Sequence, residues 1–222
     1  MTSAAFSPDG ALLVVSASHA PSGGLDTGPA YPGPTGRLLA LDGRTGALVR
    51  VLWEGSDVET PRVLLVDDRF VLAGGTALRV FERPGLAERA SVKPHGGMYV
   101  NALALSPDGT RLASGGADGG IALWVLPALD ALRRWKGHDD SVTALAFHPG
   151  PSASPGAPLL VSGGDDGRLR WFSTEGRLVA DDAQGGPVEG IALSPGGDRM
   201  VVAVGGAAAT LRYERLTILP PP

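Results

Sequence analysis

Apolar residues along this chain come in short bursts, each closed by a Pro/Gly-rich turn, and the bursts recur in pairs. In "VTALAF", Val142, Ala144 and Ala146 alternate with Thr143, Leu145 and Phe147, so both faces of the segment are mostly apolar. An extended segment of that kind predicts a strand buried on both sides, as when sheets stack face to face. No stretch longer than about ten residues carries a convincing helical period. The 33 Gly and 19 Pro are scattered rather than pooled, which makes turns frequent and elements short. The pattern predicts an all-β chain.

The bursts also repeat. "AAFSPDGALLVVSAS" (4–18), "LALSPDGTRLASGGADGG" (103–120), "LAFHPG" (145–150) with "PLLVSGGDDGR" (158–168), and "IALSPGGDRMVVAVGG" (191–206) share one template: strand, Pro/Gly turn, strand, Gly-rich turn. Residues 61–82, "PRVLLVDDRFVLAGGTALRVFE", are a degenerate copy with a shortened first turn. The turn prolines Pro107, Pro149 and Pro195 are 42 and 46 residues apart, and Pro8 to Pro107 is 99, room for two repeats. Five repeats result, bounded approximately at 1–55, 56–93, 94–136, 137–182 and 183–219. Within the third, strands are expected at Val100–Leu105, Arg111–Ser114, Ile121–Trp124 and Leu132–Trp135, here called a to d. Four strands per repeat of this length are the signature of a propeller blade. The expected architecture is a single β-propeller domain of about five four-stranded blades.

At this point the repeats resemble WD repeats. The residues that carry the resemblance are the "SPDG" and "HPG" turns, "ASGGADGGIALW", "VSGGDDGRLRWF", and the "GH" four residues before a strand a. The third and fourth repeats match best. The dipeptide that names the family is absent; Leu41-Asp42, Phe81-Glu82, Trp124-Val125 and Phe172-Ser173 stand in its place. Residues 36–53, "GRLLALDGRTGALVRVLW", also resemble the repeat of quinoprotein-type propellers. One such repeat cannot build a quinone site.

Met1 aligns with Val100, Val142 and Val188 at the start of a strand a, and "LTIL" (216–219) can supply the last strand d, so no strand is left over to latch a ring. Three arrangements compete: a closed five-bladed ring, a partial propeller completed by another chain or a second copy, or a fragment of a longer protein.

Composition narrows the chemistry. The absence of cysteine removes disulfides, thiolate catalysis and cysteine-ligated metal. The formal net charge is -4, with no Lys/Arg block to follow a phosphate backbone, so no nucleic-acid partner is expected. No apolar run reaches bilayer length, and "MTSAAFSPDG" lacks the regions of a signal peptide, so no membrane partner and a cytoplasmic location are expected.

His138, beside Asp139 and Asp140, invites a metal or acid/base reading. The resemblance implies something plainer. In WD repeats a His before strand a, a Ser/Thr on strand b, an Asp in the turn before strand c and a Trp on strand c form a hydrogen-bonded brace. Carried over by position, the third repeat offers His95, Ser114, Asp118 and Trp124, and the fourth His138, Ser162 and Asp166, with Phe172 where the Trp would be. A buried imidazole needs both nitrogens paired, and this set pairs them. The same trio of Ser, His and Asp lacks a nucleophile elbow or oxyanion loop. Neither a catalytic residue nor a metal or cofactor ligand is assigned.

Asp165-Asp166 and Asp181-Asp182 read as turn residues with solvated charge, and His148, aligned with Ser7, Ser106 and Ser194, as an exposed turn residue. The two Pro/Gly-rich insertions, 22–36 and 149–158, read as long loops. Partner contacts in this family use the face where strands a begin, which nominates Thr2, Tyr99, Asn101, Asp140, Thr143 and Glu189, together with Tyr31 of the first insertion. The implied function is a non-enzymatic scaffold or adaptor with protein partners. The alternative is a propeller enzyme or sensor holding a small ligand in its central channel.

Overall fold

The computed structural model describes residues 3–18, 36–56, 59–149, 158–173, 175–205 and 210–215. Among them there is no α-helix, and every paired strand is antiparallel. The first sheet is β1 (Ser3–Phe6), β2 (Leu12–Ser18), β3 (Gly36–Asp42) and β4 (Leu48–Gly55); the second is β5 (Val63–Val66), β6 (Phe70–Gly74), β7 (Leu78–Glu82) and β8 (Ala87–Val92). The third is β9 (Val100–Leu105), β10 (Arg111–Gly116), β11 (Gly120–Val125) and β12 (Asp130–Lys136); the fourth is β13 (Val142–Phe147), β14 (Pro158–Gly164), β15 (Arg168–Ser173) and β16 (Leu178–Ala183). The fifth shows β17 (Val188–Leu193), β18 (Arg199–Val204) and β19 (Thr210–Arg215), and the strand expected at 216–219 lies outside the described residues. Each sheet is a meander in chain order, as a propeller blade is. The first two form one compact unit, Met1–Lys93, and the other three a second, Pro94–Pro222.

The turn chemistry explains the registers. Ser106 Oγ donates to Asp108 Oδ1 at 2.6 Å and accepts from the Arg111 N–H at 2.9 Å, while Asp108 Oδ1 accepts from the Thr110 N–H at 3.0 Å. Gly109 adopts φ 66°, which a side chain resists. That folded knot sets Leu105 opposite Leu112. Ser194 with Asp198 ties the same turn in the fifth sheet and sets Leu193 opposite Met200.

Burial is graded across each sheet. Among the described side chains the core comes from β2, β3, β6, β7, β9, β10, β11, β13, β14, β15 and β18, joined by Val188 of β17, whereas β4, β8, β12 and β16 are largely exposed. In the second unit Ala102, Ala104, Ala113, Ile121 and Leu123 of the third sheet pack against Val142, Leu145 and Phe147 of the fourth. Val161 and Leu169 pack in turn against Val188, Met200 and Val202. In the first unit Val14, Leu38 and Ala40 meet Val71, Ala73 and Phe81. Both faces of a strand are therefore used, as the apolar pattern of "VTALAF" requires.

The "SGG" ends of β10 and β14 follow from this packing. A Cβ on Gly115 would overlap Val142 of the next blade, and one on Gly163 would overlap Val188. A Cβ on Gly116 or Gly164 would overlap the ring of His95 or His138. The first glycine admits the neighbouring blade and the second admits an imidazole.

Candidate functional site

The third blade runs its polar chain from the buried Trp124 outward to the exposed Asp118. Trp124 Nε1–H, on β11, donates to Ser114 Oγ of β10 at 3.0 Å, and that oxygen lies 3.2 Å from His95 Nε2. His95 Nδ1 is 2.9 Å from Asp118 Oδ1, which also receives the Gly120 N–H at 2.9 Å. An indole can only donate and a carboxylate only accept, so the neutral ring carries its proton on Nδ1 and accepts from Ser114. Burial holds the His95 imidazole below its ordinary range against the pull of Asp118, and nearby Arg134 adds to the lowering. Arg134 itself stacks on the Trp124 ring, 4.9 Å from its centroid.

The fourth blade repeats the chain without its last member. His138, 1% exposed, faces Ser162 Oγ through Nε2 at 2.7 Å and Asp166 Oδ1 through Nδ1 at 2.9 Å. Phe172 occupies the place of the tryptophan and packs on Trp135 of the third blade, centroids 5.3 Å apart and tilted by 57°. Burial again lowers the His138 imidazole, with Arg170 adding to it and Asp166 opposing.

Arg170 was not among the residues that the sequence singled out. Its Nη1 donates to Gly137 O at 2.7 Å and to Asp166 Oδ2 at 3.1 Å, and its Nε lies 3.4 Å from Asp181 Oδ1. The alternation of "RLRWF" placed it on a strand, but only the register, Ser162 opposite Arg170, sets it beside the histidine. Asp181 and Asp182 correct an expectation as well: they belong to β16 rather than to a turn, and Asp181 Oδ1 accepts from Arg168 Nε at 2.6 Å. Asp166 keeps its turn position, accepting the Arg168 N–H, but it is half-buried and paired rather than solvated.

Ser114 and Ser162 are both fully buried, so neither hydroxyl can meet a substrate. Among the described residues no cluster of three His, Asp or Glu side chains is placed to hold a metal ion, and no helix is long and apolar enough to cross a membrane.

His148 is a further correction. It is buried, not exposed, and its Nε2 lies 3.2 Å from Gly197 O in the corresponding turn of the fifth blade. Gly197, at φ 71°, leaves the space: a Cβ there would come within 2.7 Å of the ring. The serines that align with it mislead, because Ser7 and Ser106 are themselves buried.

Of the residues nominated for partner contact, Thr2 and Tyr31 lie outside the described residues, as do most of the two long insertions. The others stand where the first strands of three successive blades begin: Tyr99 and Asn101 at β9, Asp140 and Thr143 at β13, Glu189 at β17. Asp140 and Glu189 are exposed, and Tyr99 and Asn101 half-buried. Thr143 Oγ1 is turned inward, donating to main-chain carbonyls of Gly163 and, in the next blade, Val188.

Comparison with known proteins agrees with this architecture. The family described as WD domain, G-beta repeat matches residues 88–125 and 130–173, each match running from a strand d through the a, b and c of the following blade. Protein ROOT INITIATION DEFECTIVE 3 of Arabidopsis thaliana is 37% identical over 101 residues, 46% of this chain and 22% of that protein. Transducin beta-like protein 3 of Mus musculus is 30% identical over 172 residues, 74% of this chain and 21% of that protein. A U3 snoRNP-associated protein-like sequence of Arabidopsis thaliana is 32% identical over 104 residues, 47% of this chain and 20% of that protein. The chain thus spans about a fifth of the length of these curated relatives. Among solved structures, a chain of the mitotic checkpoint complex superposes with a TM-score of 0.77 at 20% identity, covering 96% of this chain and 62% of that one, a likeness of fold. Repeat template, blade geometry and family match coincide, and the chain belongs to the WD-repeat β-propeller family.

Proposed function

We propose that this chain is a non-enzymatic protein-interaction scaffold that meets its partner where the first strands of the second compact unit begin, through Tyr99, Asn101, Asp140 and Glu189. The observation that carries the reading is the burial of every Ser–His–Asp hydroxyl. The hydroxyls and imidazoles of these sets close on one another in the interior, while the chemically mixed side chains at the strand starts remain exposed or half-exposed. WD-repeat propellers are typically protein-interaction scaffolds, which supports the same reading. A fold of this kind hosts many functions, so the assignment rests on the side chains.

The test is affinity capture with the purified chain against its Asn101→Ala/Asp140→Lys double variant, both checked for equal thermal stability. A specific protein retained by the first and lost by the second supports the proposal. Equal capture by both, or turnover of a small molecule by the purified chain, overturns it.

A further inference from the structure

The loop between β12 and β13, Gly137 to Ser141, presents Asp139 and Asp140 side by side, with the Asp139 side chain 89% exposed. Adjacent exposed carboxylates repel, so the loop needs ties to keep one shape. Gly119 O receives the N–H groups of Gly137 and His138, and the Asp165 N–H reaches Ser141 O. Further ties come from two joined side chains, Arg170 and Asp166. Arg170, 13% exposed, donates to Gly137 O at 2.7 Å and to Asp166 Oδ2 at 3.1 Å. That same carboxylate oxygen accepts the Asp139 N–H at 3.1 Å, and its twin faces His138 Nδ1 at 2.9 Å.

The third blade has no paired carboxylates in the corresponding loop and no such arginine. Opposite Ser114 stands Ala122, and the indole of Trp124 supplies a donor from within. Where the fourth blade has lost the indole, it has a guanidinium opposite the serine instead. A planar fork can hold the Gly137 carbonyl and the Asp166 carboxylate through Nη1 while its Nε faces Asp181 Oδ1, a spread that a single ammonium cannot match in the same geometry.

We infer that Arg170 is the positioning residue of the Gly137–Ser141 loop, holding the Asp139–Asp140 tip from the strand side as Trp124 holds its blade from the core. Its consequence for partner capture rests on the function proposed above; the positioning itself does not. The experiment is amide hydrogen exchange on the full chain, comparing wild type with Arg170→Met and Arg170→Lys. Exchange at Asp139 is expected to accelerate about tenfold in Arg170→Met, the equivalent of one charge-assisted hydrogen bond, and less in Arg170→Lys. Exchange at two third-blade amides, Met98 in the loop before β9 and Ala117 in the turn that bonds Tyr99 O, stays unchanged. No acceleration at Asp139 in either variant, or equal acceleration in the two blades, overturns the inference. Unchanged exchange at Asp139 in Arg170→Met, with partner lost in Asp140→Lys, would leave the proposed face standing and remove the positioning role; faster loop exchange with capture insensitive to both would do the reverse.

Discussion

His138 Nε2 lies 2.7 Å from Ser162 Oγ, and the ring at the place of the usual indole donor is that of Phe172. The serine therefore serves the histidine alone, where Ser114 is shared between His95 and Trp124. His138→Ala leaves the buried Ser162 hydroxyl and the half-buried Asp166 carboxylate without the ring that joins them, and is expected to cost about 1–3 kcal/mol of folding stability. Denaturant unfolding measures it; an unchanged midpoint and slope would free the residue from a structural role.

Trp124→Phe converts the third blade to the state of the fourth. The loss of the indole donor to Ser114, with the smaller ring in a fully buried site, predicts about 1–3 kcal/mol of destabilisation. The same unfolding titration detects it, and near-neutrality would mean that the donor contributes nothing to the brace.

Both braced histidines are held below their ordinary protonation range by burial. The unfolded chain, with imidazoles near 6.5, then takes up protons before the folded one as the solution is acidified. Stability contributed by neutral His95 and His138 is complete above about pH 6.5 and declines below it, by up to about 1.4 kcal/mol per pH unit for each ring. Unfolding free energies across that range should show the slope in wild type and a shallower one in His138→Asn.

Gly197→Ala is expected to cost about 2 kcal/mol or more, because φ 71° resists a Cβ and the new methyl would press on the His148 ring. In a His148→Ala background the steric part disappears and the strain part remains, so the two substitutions should add to less than their sum. Strict additivity would mean that the two turns do not touch.

Asp108 is pulled down to about 2, first by the Ser106 hydroxyl and then by the Thr110 N–H. Its carboxylate helps the turn above the ordinary aspartate range and loses that effect as the pH falls toward about 2. NMR titration should return it toward the ordinary range in Ser106→Ala; an unmoved value would assign the shift elsewhere.

Much of this molecule is local, and the local part is legible in one dimension. The turn serine and aspartate two residues on, the left-handed glycine and the two-sided apolar bursts act over a few neighbours. Strands expected at Val100–Leu105 and Arg111–Ser114 stand at Val100–Leu105 and Arg111–Gly116 for that reason. The polar chains of His95 and His138 were nominated by a repeat template, and the structure brings their members to hydrogen-bonding distance because each repeat folds the same way.

What the sequence by itself determined was therefore the strand pattern and the repeat, and the family resemblance of that repeat nominated the His, Ser and Asp of each polar chain. Tertiary structure alone decided what one blade does to the next. Arg170 acquires its partners from register across β14, β15 and β16 and from a loop 33 residues away. His148 is buried by a turn 49 residues later in the chain. Burial and long-range pairing depend on which surfaces meet, and no window of neighbouring residues contains that information.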